Sequence, residues 1–71
     1  MDEGRAAMER RWREVDRMFA QLMFEIDEVI RTSPTLPAAF VAELQARRQG
    51  VQEAWDRERE QRRRDMVTIF G

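Results

Sequence analysis

Histidine, cysteine, lysine, tyrosine and asparagine are all absent from this 71-residue chain. Without histidine, cysteine or lysine there is no ordinary general base near neutral pH, no thiolate nucleophile and no Schiff-base amine. The remaining hydroxyls, on Thr32, Ser33, Thr35 and Thr68, have no imidazole to activate them. Lack of thiols also excludes disulfides and thiolate metal sites. Glu25, Asp27 and Glu28 mimic half of a di-metal carboxylate set, but the Glu-x-x-His pairing that such bundles use is missing. Catalysis is therefore not expected, nor is any cofactor or metal.

Other shortages narrow the class further. A chain this short makes one small domain and struggles to bury a core of its own. A net charge of −1 leaves no surplus of basic residues to displace counterions from nucleic acid, which argues against general nucleic-acid binding. No apolar run approaches the roughly 18 to 20 residues that span a bilayer, so no membrane partner is expected. The start, Met1-Asp2-Glu3-Gly4-Arg5, is acidic and lacks the apolar stretch of a secretory signal; a cytoplasmic protein is the expectation.

What the chain does have is helical periodicity. Met8, Trp12, Val15, Phe19, Leu22, Ile26 and Val29 alternate in steps of four and three, the heptad seam of a coiled coil. Val41, Leu44, Val51, Trp55 and Ile69 continue the same heptad beyond Pro34 and Pro37. Both prolines lack an N–H, and Pro34 pushes Ser33 out of the α region. Pro37 suits the first turn of a helix, where a missing donor costs nothing. The reading is an all-α, antiparallel two-helix hairpin, coiled-coil-like and completed by oligomerisation or docking. Helix 1 is expected over about 5–31, the turn over 32–36 and helix 2 over about 37–70. Gly50 is the weak point of helix 2, and close packing beside Phe19 would compensate for it.

Opposed positions in an antiparallel pair have residue numbers that sum to a constant. With Thr35 at the turn centre that constant is 70, which predicts layers Val29/Val41, Ile26/Leu44, Leu22/Arg48, Phe19/Val51 and Val15/Trp55. Arg48 either fixes this register or reaches out to Glu25 or Glu43. On the flanks Glu25 would meet Arg47, and Glu9 would meet Arg59. Residues 56–65 contain no apolar side chain and read as a solvated helical arm, supported by pairs such as Glu53–Arg57, Glu58–Arg62 and Glu60–Arg64.

The candidate contact residues lie off this seam. Met18, Met23, Ile30 and Phe40 widen the apolar face beyond what two helices need, either as bundle core after dimerisation or as an adaptable methionine-rich docking surface. Phe24 sits opposite the seam. Met66, Val67, Ile69 and Phe70 form a greasy tail after the charged arm, placed to anchor in a partner's pocket. These features predict a non-catalytic protein–protein interaction module, a small subunit that scaffolds, masks or inhibits a larger protein partner or self-associates.

The Pro34-Thr35-Leu36-Pro37 turn has the Pro-x-x-Pro spacing of type III secretion needle subunits, and the long second helix ends in Ile69-Phe70 as theirs does in an apolar pair. The chain resembles those subunits and their small co-chaperones in shape, over the turn and the last few residues only; helix 2 is shorter and more charged here. The resemblance implies a secretion-apparatus component as a second class. A third class is an RNA-binding four-helix dimer using Arg10, Arg11, Arg13 and Arg17.

Overall fold

A computed structural model describes residues 2–70. Its two helices, α1 (Asp2–Thr32) and α2 (Ala38–Phe70), pack against each other as an antiparallel all-α hairpin. The hairpin measures 53 × 18 × 9 Å, so it is a single layer one helix thick.

α1 starts three residues before the expected Arg5 and runs one past Arg31. Its end is held by Arg31, which donates from Nε (3.0 Å) and Nη2 (2.7 Å) to the Glu28 carboxylate. That contact keeps the Glu28 carboxyl below, and the Arg31 guanidinium above, its ordinary pKa. A cation in the last turn also suits the helix dipole. The turn is closed by the Leu36 N–H donating to the Ser33 carbonyl at 3.2 Å. Pro37 lies just outside α2. Its carbonyl accepts from Phe40 (3.0 Å) and Val41 (3.1 Å), which makes it the N-cap and not the first helical residue.

The register differs from the predicted one. Phe19 stacks on Trp55, with ring centroids 5.8 Å apart and planes 10° from parallel. The Arg62 guanidinium lies 5.8 Å from the Trp12 ring centroid, and Arg48 Nε is 2.7 Å from Asp27 Oδ1. These pairs sum to 74 or 75, not 70, a slip of one helical turn. The symmetric turn assumed for a sum of 70 is not what the two prolines make. A sum of 74 sets Thr32 level with Ala42, so α2 begins about 6 Å beyond the end of α1. Trp55 thus meets Phe19 where Val15 was expected.

The seam period also differs. On α1 the half-buried apolar residues are Met8, Trp12, Val15, Phe19, Met23, Ile26 and Ile30. Those steps of 4, 3, 4, 4, 3, 4 are two eleven-residue repeats, 3.67 residues per turn, close to an unsupercoiled α-helix. A strict heptad drifts about 20° per repeat around such a helix. After Phe19 the contact therefore passes to Met23 and Ile30, and Leu22 and Val29 are left 45% and 42% exposed.

Packing within the hairpin buries no side chain completely among the described residues. The compensation expected for Gly50 is also absent: a Cβ there would meet nothing within 4 Å.

Candidate interaction surface

The seam divides the hairpin into two faces of different chemistry. One is closed by polar and aromatic contacts between the helices. Asp16 Oδ1 accepts from Trp55 Nε1 at 2.8 Å and from Arg62 Nη1 at 2.7 Å. Arg59 covers the Trp55 ring at 4.2 Å. The Arg62 side chain is only 12% exposed, and its Nε and Nη2 have no hydrogen-bond partner. Glu58 stands 3.5 Å from that Nε, within ion-pair range but not hydrogen-bonded, and the Trp12 ring faces the same cation. Partial burial among the rings pushes the Asp16 carboxyl up, but the Trp55 and Arg62 hydrogen bonds and the charges of Arg62 and Arg59 outweigh it. The net pKa is lowered. Further along, Asp27 takes Arg48, and Arg5 lies 5.5 Å above the Phe70 ring.

This arrangement corrects several sequence expectations. Arg48 chooses Asp27 over Glu25 or Glu43, because the slipped register brings Asp27 alongside it. Glu25 does not meet Arg47, nor Glu9 Arg59. Arg47 pairs with Glu43 at 3.5 Å, Arg5 with Glu9 at 3.2 Å, and Gln21 donates to Glu25. Residues 56–65 are no free arm, since Arg62 packs on α1 through Asp16 and Trp12. Glu58–Arg62 and Glu60–Arg64 form as expected, at 3.5 and 3.7 Å, whereas Glu53 accepts from Gln49.

The other face lacks such closure. At 100° per residue, Met18, Leu22 and Val29 lie on one flank of α1, about 60–100° from the seam. Antiparallel packing puts Phe40, at the start of α2, on the same side. Met18 is 65% exposed and Phe40 44%, so with Leu22 and Val29 they make an apolar stripe open to solvent. The stripe runs on toward the N-terminus as a shallow concavity of ≈ 430 Å³ lined by Ala7, Arg10, Arg11, Glu14, Val15 and Met18.

Of the contact residues read from sequence, Met18 and Phe40 lie on the same side of the hairpin but about 24 Å apart along it, since the register sets Phe40 level with position 34, just beyond the end of α1. Met23 is not on that side; it turns into the seam and is half-buried. Phe24 is 58% exposed on the far side of α1. The tail is helical to Phe70 and spreads around the helix: Met66 is half-buried toward α1, while Val67 and Ile69 are 70% and 57% exposed. It offers no single anchoring face. Leu22 and Val29 are the surface residues that sequence reading missed, having been assigned to the seam. No group of three or more metal-ligating side chains clusters among the described residues, and no described helix is long and apolar enough to cross a membrane.

The chain matches no family model, no curated protein and no solved structure.

Proposed function

We propose that this chain is a non-catalytic protein–protein interaction module, a helical-hairpin subunit that scaffolds, masks or inhibits a protein by laying its open face on it. The observation that carries the reading is the contrast between the faces. One is closed by Asp16, Trp55, Arg62, Asp27 and Arg48, while the other exposes Met18, Leu22, Val29 and Phe40 in a row. A contiguous exposed apolar stripe rimmed by charge is the usual mark of a protein-binding surface. A net charge of −1, with no surplus of basic residues to displace counterions, favours a protein over a polyanion as partner.

The test compares wild type with a Met18→Glu, Leu22→Glu chain and with a Phe24→Glu control on the far side. Each is used as bait and as analyte for binding to itself and to host proteins. Wild type and the control are expected to bind, and the open-face variant to lose at least tenfold in affinity. Equal binding by all three chains contradicts the assignment of the face.

A further inference from the structure

The exposed area of the whole hairpin and the shape of its open side bear on what covers that side. The hairpin exposes 5718 Å², whereas a compact folded chain of 8.5 kDa exposes about 4,700 Å². The excess, about 1,000 Å², is comparable to the roughly 800 Å² that each side of a standard interface removes from solvent. We infer that the occupant is a second copy of this chain, related by a two-fold axis parallel to the helices, with α1 of each copy lying antiparallel on α2 of the other in a four-helix bundle. The inference rests on the interaction-module reading and names its partner.

Complementarity favours this operator. At mid-height the open flank of α1 is bulky, with Met18 and Leu22, whereas mid-α2 on the same side is small, with Gly50 and Ala54. The cross-helix pairs sum to 74, and a two-fold parallel to the helices keeps residues at their own height. Leu22 then lies between Gly50 and Ala54 of the second copy, and Met18 beside Ala54. Open space at Gly50, where a Cβ would touch nothing, leaves room for that side chain. The charged rims agree: Glu25 falls near Arg47 of the other copy and Arg11 near Asp65. Turning the second copy about an axis across the helices does the reverse. Centred on Met18 and Leu22, it puts α1 on α1, Arg11 on Val29 and Glu43 on Asp65. Isologous two-fold pairing is also the commonest closed assembly.

Sedimentation equilibrium on the full chain over a concentration series is expected to read twice the 8.5 kDa chain mass. A chain that stays monomeric throughout, or settles at a different stoichiometry, overturns the inference. Because the native chain has no cysteine, Leu22→Cys and Gly50→Cys chains can be mixed and treated with a short bismaleimide. The mixed product is expected to exceed the Leu22→Cys homodimer by about tenfold; a dominant Leu22→Cys homodimer overturns the α1-on-α2 arrangement. Circular dichroism of both cysteine chains confirms that they fold, and an Ala54→Cys chain replaces Gly50→Cys if that one does not. A monomeric chain that retains a host protein through Met18 and Leu22 defeats self-pairing but leaves the binding reading standing. A monomeric chain that retains nothing defeats both.

Discussion

The two faces of this hairpin are built from the same helices yet solve opposite problems. On the closed face, Asp16 takes two donors from α2, Trp55 and Arg62, and a second ion pair joins Asp27 to Arg48. On the open face, Met18, Leu22, Val29 and Phe40 are spaced along the hairpin and exposed to solvent. The two faces hold different kinds of specificity. Polar contacts across the seam fix which residues of α1 meet which of α2. The apolar stripe lies off the seam, on the opposite side from those contacts. Within the hairpin no described side chain is completely buried.

Four changes sharpen or break that contrast. The largest effect is expected on the closed side. Trp55→Ala removes the stack on Phe19, a donor to Asp16 and the ring beneath Arg59. Aromatic-to-alanine changes in cores cost about 3–5 kcal/mol, and half-burial lowers this to about 2–3 kcal/mol. Urea unfolding should show that loss at every chain concentration. Next comes the open face: Met18→Glu with Leu22→Glu should cost about 2–3 kcal/mol in assembly, some 30- to 150-fold in affinity. Its unfolding should match that of wild type at high dilution, so the effect is confined to the assembled state. A comparable loss in dilute monomer would mean that these residues serve the hairpin itself.

A smaller effect belongs to Asp16→Asn. The native carboxylate has a lowered pKa, so it binds protons more weakly folded than unfolded. Its stabilisation is therefore complete above the unfolded carboxylate pKa, near 4, and is lost as pH falls through the still lower folded value. The gap in melting temperature between wild type and Asp16→Asn should be constant from about pH 5 upward and should close below about pH 4. With Asp16 partly exposed, about 1 kcal/mol is the expected scale. A gap that persists in acid would show that the side chain acts by shape and not by charge.

Gly50→Ala should give the smallest net change. Alanine favours the helix by about 1 kcal/mol, and its Cβ meets nothing inside the hairpin. Helix content of the dilute chain should rise. Crowding against Leu22 of a second copy offsets that gain in the assembly, so association should not tighten. Tighter association would place the second chain elsewhere.

How far the sequence carried this architecture can be judged at particular residues. The break at Pro34 and Pro37, the two long helices and their antiparallel pairing were legible, because proline chemistry and 3.6-residue periodicity are local properties. The choice between Leu22 and Met23, or Val29 and Ile30, was not. Both alternatives are apolar, so the heptad and the eleven-residue repeat fit α1 equally well. Only the degree of supercoiling decides between them. The register slipped for a related reason: the path of residues 33–37 sets the height at which α2 begins, and composition does not encode that height. The Asp16–Arg62 contact was hidden because the predicted register sets Arg62 level with Met8, about two turns from Asp16, and only the slipped register brings it within reach. Met18 was found on the open face because both repeats leave it off the α1 seam, and Phe40 because the heptad leaves it off the α2 seam.

If one hairpin lacks a core and acquires it through the open face, its stability must depend on chain concentration. Thermal unfolding of the full chain, followed by circular dichroism at 222 nm over a wide dilution series, tests it directly. The midpoint is expected to rise with the logarithm of concentration, with a broad, weakly cooperative transition at the dilute end and a flat response in the Met18→Glu, Leu22→Glu chain. A sharp melt at one temperature, independent of concentration and unchanged in the variant, would show that the isolated hairpin is self-sufficient and would contradict that dependence.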